Sequence, residues 1–89
     1  MQSSTIEITN KLGLHARAAA KLVKLCSGFS SHIEIGTPGQ MMNAKSIMGL
    51  MMLAASQGTT LTITAQGNDE DAAHQTIRQL IENRFDEDE

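Results

Sequence analysis

His15 stands in the run Gly13-Leu14-His15-Ala16-Arg17-Ala18-Ala19-Ala20-Lys21. A glycine-containing loop delivers an imidazole to the start of an alanine-rich helix, with an arginine two residues further in. The first turn of a helix offers backbone N–H groups without intrahelical partners and the positive end of a dipole, so it suits an anion. An imidazole there could itself carry the anion, as a phosphoryl group. A ring nitrogen attacks phosphorus only when unprotonated, and the positive helix end disfavours the imidazolium. After transfer, the same dipole and the N–H groups of Ala16 and Arg17 would stabilise the added negative charge. The guanidinium of Arg17 has the geometry to meet phosphoryl oxygens. Phosphoryl transfer asks mainly for positioning and charge stabilisation, which a shallow site can supply together with a partner's site. The plainer alternative is a histidine that caps a helix or lines a loop, and a short motif alone does not exclude it.

A second segment bears on that choice. Ser46-Ile47-Met48-Gly49-Leu50-Met51-Met52-Leu53-Ala54-Ala55-Ser56 is apolar nearly all round. With Leu50, Leu53 and Ala54 turned to the interior, Met48 and Met52 point away from it and Ile47 and Met51 flank them. An exposed apolar patch on a small protein marks a docking surface, and methionine repacks cheaply against several partners. The alternative, a cover from another element or a second subunit, has little chain to draw on. Ser46 reads as the N-cap of this helix. A phosphate on its hydroxyl would place about two negative charges beside the patch. His32 and His74 are expected to face solvent and have no second ligand at metal spacing, so no metal is assigned. Cys26 falls on an apolar helical stripe and reads as a core residue.

These groups need positioning elements. Residues 4–9 alternate apolar and polar, a strand with Ile6 and Ile8 inward. A helix is expected over 16–27, with Ala19, Leu22, Val23 and Cys26 on one face and Gly28 stopping it. Residues 31–35 alternate again, Gly36-Thr37-Pro38-Gly39 forms a turn, and 40–43 returns. The Met-rich helix is expected to run from Ser46 to a stop at Gly58. Residues 60–65 form the clearest strand. Asn68 or Asp69 then caps a helix with Ala73, Ile77, Leu80 and Ile81 in one stripe. The order β-α-β-β-α-β-α, with one polar face on every strand, implies an α+β two-layer sandwich with an open sheet face.

Length and composition limit the functions available. Eighty-nine residues make one small domain, better suited to a surface site than to an enclosed cleft. Aromatics are 2% of the chain, so the expected core is aliphatic and base-stacking modules are disfavoured. Net charge is −3, of which Asp86-Glu87-Asp88-Glu89 carry −4, leaving residues 1–85 at +1. Residues 86–89 are therefore expected to be a frayed acidic tail, and the nearly neutral remainder is a poor nucleic-acid binder. A single cysteine rules out an intrachain disulfide and fits a reducing compartment. No stretch resembles a signal peptide or reaches membrane-spanning length, so a cytoplasmic protein without membrane insertion is expected.

The chain resembles the HPr family, the histidine-containing phosphocarrier proteins of the bacterial phosphoenolpyruvate-dependent phosphotransferase system. Two motifs carry the resemblance, Gly13-Leu14-His15-Ala16-Arg17 and Ala44-Lys45-Ser46-Ile47-Met48-Gly49-Leu50, and it extends over about residues 3–85. It implies an antiparallel sheet in the order 1-4-2-3. It also implies that His15 accepts a phosphoryl group from enzyme I on Nδ1 and donates it to a histidine of an EIIA-type protein, with Arg17 assisting. Ile47, Met48 and Met51, joined by Met52 from the patch above, would dock both partners. Ser46 matches the position that a dedicated HPr kinase/phosphorylase modifies in some bacteria. Such a carrier forms a transient phosphohistidine, is not a stand-alone enzyme and needs no cofactor. A monomer is expected, because a permanent dimer through the Met-rich helix would hide the patch. The chain departs from the family in carrying Ala18 where proline usually follows the arginine. A nitrogen-related branch, in which the same transfer serves regulation, remains an alternative. An acylphosphatase-like hydrolase would need a phosphate-cradling loop and an asparagine to orient water, and no such pair is evident.

Overall fold

The computed structural model describes residues 1–88. Strand β1 spans Gln2–Glu7, helix α1 Ala16–Ser27, β2 His32–Thr37, β3 Gln40–Asn43, α2 Ile47–Met52, β4 Thr60–Gln66 and α3 Glu70–Glu82. The four strands form one antiparallel sheet in the order β1-β4-β2-β3. This is the expected architecture. The register follows from the alternation of side chains. Ile6 pairs with Leu61, and Ile35 with Ile63, so the inward set of each strand meets the inward set of its neighbour.

The core lies between the sheet and the helices. Ile6, Ile8, Ile33, Ile35, Leu61 and Ile63 rise from the strands to meet Leu22, Cys26, Leu50, Ile77 and Ile81 of the helices. The other sheet face stays open, with Thr5, Glu7, His32 and Thr60 exposed on it. Burial pushes the Cys26 thiol up to about 12, against a smaller opposing pull from Lys45, so it stays neutral and inert near pH 7. One expectation of an all-aliphatic core fails: Phe85 is fully buried.

Several boundaries move. Strand β1 begins two residues before the expected start and ends at Glu7, although Ile8 stays buried and donates its N–H to Thr59 O at 2.9 Å. The Met-rich helix is six residues long and ends well before Gly58. Leu53 closes it, and Ala54 leaves it with a left-handed φ of 48°. Ala54 is exposed rather than turned inward, and Leu53 is half-buried. The residues expected to prolong the helix instead form a connection whose Ala55 carbonyl accepts the N–H of Leu14 at 2.8 Å. That bond ties the loop before His15 to the end of α2.

His74 does not face solvent freely. Its Nε2 is 2.7 Å from Ser4 Oγ, and Arg78 on the same helix donates to Ser4 Oγ and to Thr5 O, both at 2.8 Å. Together they pin α3 against β1. Asp69 precedes α3 but its side chain does not cap it. The carboxylate reaches across to the loop before β2, accepting the Ser30 and Ser31 N–H groups at 2.8 and 2.9 Å and the Ser31 hydroxyl.

Candidate phosphorylation site

Gly13 and Leu14 deliver the chain to α1. Gly13 has φ of 68°, and a Cβ placed there would lie 2.4 Å from Ala55 O and 2.8 Å from Ser56 Cα. Only glycine lets the loop pass that close. Leu14 is buried behind it. His15 then sits at the N-cap of α1 in extended conformation, and its side chain makes no capping bond. Its carbonyl accepts the N–H of Ala19 at 2.8 Å, the first bond of the helix. The amides of Ala16, Arg17 and Ala18 precede that bond and have no intrahelical acceptor.

The imidazole is 26% exposed. Its Nε2 faces Glu87 Oε2, while Nδ1 has no hydrogen-bond partner among the described residues. Arg17 is exposed and forms no ion pair with any described residue. His15 and Arg17 line one shallow depression with Lys11, Leu12, Glu87 and Asp88. Among the described residues the site thus holds an imidazole with one free nitrogen, an unpaired guanidinium and the open end of a helix. The depression opens to solvent. A larger groove, lined by Lys24, Leu25, Phe29, Gln79 and Leu80, lies elsewhere on the surface and includes neither His15 nor Arg17.

Beside it lies the apolar patch. Met48 is 73% and Met52 65% exposed, with Ile47 and Met51 less so at 42% and 40%, while Leu50 of the same helix is fully buried. Ser46 caps this helix, accepting the N–H of Gly49 on its Oγ at 3.2 Å. The two motifs are joined through α1–α2 packing and through the bond from Leu14 to Ala55.

Two residues of the site escaped the sequence. The chain after α3 folds back instead of running on as the expected tail over 86–89, of which Glu89 lies outside the described residues. It turns through Arg84–Asp86, all three with left-handed φ between 54° and 64°. Phe85 is buried and its carbonyl accepts Lys21 Nζ at 2.7 Å. That turn carries Glu87 back to His15. Asn10, fully buried, donates its Nδ2 both to Gly13 O at 2.8 Å and to Glu87 Oε1 at 3.0 Å. Burial works to raise the Glu87 carboxyl, but bonds from His15 and Asn10, with the charges of His15 and Lys21, hold it below the usual range. By its sequence Asn10 is an ordinary loop residue, and its burial is visible only in the fold. An acidic run reads as solvated surface, so nothing local distinguished Glu87.

Residues 2–83 match the family model described as the PTS HPr component phosphorylation site. The phosphocarrier protein HPr of Xylella fastidiosa strain Temecula1 is 53% identical over 88 residues, covering 99% of each chain. The chain belongs to the HPr phosphocarrier family. A crystal structure of an HPr from Thermoanaerobacter tengcongensis superposes with a TM-score of 0.95 at 47% identity, covering all of both chains. An HPr dimer from the same organism superposes with a TM-score of 0.78 at 48% identity, covering 98% of this chain and 100% of the other. The chain is thus a phosphocarrier of the phosphotransferase system with the open-faced sandwich of its family. Among the described residues no helix is long and apolar enough to cross a membrane, and no cluster of His, Cys, Asp or Glu could hold a metal.

Proposed function

We propose that the chain takes a phosphoryl group from enzyme I onto Nδ1 of His15 and hands it to a histidine of an EIIA-type protein. The Nδ1 lone pair attacks phosphorus on the donor's phosphohistidine. The P–N bond to the donor breaks, and its electron pair leaves with the donor's ring nitrogen. The second transfer repeats these events with His15 as the leaving group. Arg17 contacts the phosphoryl oxygens, and the N–H of Ala16 faces the added charge. Ile47, Met48, Met51 and Met52 form the surface on which both partners dock in turn. One surface for two partners explains why the site is shallow: each partner supplies the other half. The chain works in the cytoplasm as a monomer, since a lasting dimer through α2 would cover that surface. Ser46 is the position where an HPr kinase/phosphorylase would act, placing negative charge beside the patch. Residues 1–85 act as the domain and residues 86–88 extend it over the site.

The observation that carries this reading is His15 at the open start of α1, with Nδ1 unbonded and Arg17 unpaired among the described residues. Incubation with enzyme I, Mg²⁺ and phosphoenolpyruvate, followed by intact-mass measurement, tests it. The expected result is one added phosphate on the wild type, labile in acid and stable in base, and none on His15→Ala. No gain with an enzyme I from the same organism refutes it.

A further inference from the structure

Glu87 is the residue that an unusual turn of the chain delivers to the imidazole. Three consecutive left-handed residues turn the chain after α3, buried Phe85 and the Lys21–Phe85 bond hold that turn, and the turn ends with Glu87 against the imidazole. Asn10 grips the other carboxylate oxygen while also holding the Gly13 carbonyl. The carboxylate is thus fixed to the same loop that carries His15. An ionised carboxylate only accepts hydrogen bonds, so the ring nitrogen facing it must carry the hydrogen. In a neutral imidazole that leaves the lone pair on the other nitrogen.

We propose that Glu87 is a positioning residue of the phosphorylation centre, fixing His15 in the Nε2–H tautomer so that Nδ1 presents its lone pair. This rests on the carrier reading above. It assigns a task to a segment that lies beyond the matched family model, which ends at residue 83. When Nδ1 forms its bond to phosphorus, the ring becomes cationic with the proton still on Nε2. Glu87 then faces that cation across a hydrogen bond, as a buried carboxylate does for the histidine of a catalytic triad. When the phosphoryl group departs, the electron pair returns to Nδ1 and the Nε2 proton has not moved. The phosphoryl oxygens and the carboxylate lie at opposite nitrogens of the ring, so the two anions do not share one space. The other charged groups around this pair are Lys11, Arg17, Lys21, Asp86 and Asp88.

The test begins on the isolated full chain. Long-range ¹H–¹⁵N spectra of uniformly labelled protein, taken at a pH where the ring is neutral, report which nitrogen carries hydrogen. The wild type should show a pyridine-like Nδ1 and a pyrrole-like Nε2. In Glu87→Ala the two shifts should move toward each other as the second tautomer becomes populated. Glu87→Gln retains an acceptor and should lie between, and Glu7→Gln, which removes an equal charge on the open sheet face, should match the wild type. The rate of phosphoryl uptake from enzyme I should fall about tenfold in Glu87→Ala, the scale of one lost charge-assisted bond at a half-exposed site. Unchanged ¹⁵N shifts in Glu87→Ala would overturn the proposal. Faster uptake in that variant would overturn it too, showing Glu87 to be a lid on the histidine. A wild type whose tautomer depends on Glu87 but which takes up no phosphoryl group would refute the carrier reading instead.

Discussion

Gly13→Ala tests whether the loop that presents His15 is held by close backbone approach. The new Cβ would sit 2.4 Å from Ala55 O and 2.8 Å from Ser56 Cα, both backbone atoms that no rotamer change can move aside. Alanine at φ of 68° adds a strain of about 1 kcal/mol. Relieving the clash means separating the loop from the 55–56 segment. That sacrifices the bond from Leu14 N–H to Ala55 O, 2.8 Å long, for about another 1 kcal/mol, with further loss as buried Leu14 shifts. The total comes to about 2–3 kcal/mol. A domain of this size has about 4–13 kcal/mol in all, so the variant folds but melts about 10–20 °C lower. Gly39→Ala is the matched comparison. Its φ is 87° but nothing lies within 4 Å of the added Cβ, so it bears the strain alone, about 1 kcal/mol and about 4–8 °C. Thermal unfolding followed by circular dichroism measures both. Phosphoryl uptake, measured where both variants are folded, should fall only in Gly13→Ala, because only that loop carries the histidine. Equal melting losses in the two variants would refute the close approach, and with it the claim that residues 55–56 position His15.

Three further outcomes follow from particular contacts. Met48→Glu, at a side chain 73% exposed, should leave the melting temperature within a few degrees yet cut phosphoryl uptake from enzyme I at least tenfold, and an unchanged rate would remove Met48 from the docking surface. Ser46→Ala removes the acceptor for Gly49 N–H and should cost about 1 kcal/mol in denaturant unfolding, whereas Ser46→Asp should retain the cap and lower partner transfer through its charge alone. The Asp69 carboxyl is held down to about 2 by the Ser31 hydroxyl and then the Ser30 amide, so its contribution to stability is complete above its unfolded value near 3.8 and disappears as pH falls toward 2. Asp69→Asn should therefore flatten the dependence of melting temperature on pH between about 4 and 2, and a profile parallel to the wild type would show the bonds to be idle.

The period of the hydrophobic pattern was sufficient for the sheet, α1 and α3, because each of those elements buries one regular face. Ile33 and Ile35, or Ala73, Ile77 and Ile81, announce their interior side by spacing alone. Helix α2 was overextended for the same reason. Its sequence is apolar all round, so it has no phase, and only the left-handed Ala54 and the pull of Leu14 on the Ala55 carbonyl end it. His15, Arg17 and the Met-rich patch were legible because their chemistry is local: a loop glycine, a helix start, an exposed apolar stripe. Asn10 and Glu87 act across 77 positions of sequence and depend on where the chain returns after α3. That return is set by Phe85, an aromatic residue flanked by Arg84 and Asp86 at the expected end of the domain, with no apolar stripe to mark it, yet fully buried. Phe85 thus decides whether the acidic run is solvated surface or a ligand for the histidine. Acidic residues without that anchor would face water, as the sequence pattern suggests, and the imidazole would choose its own tautomer.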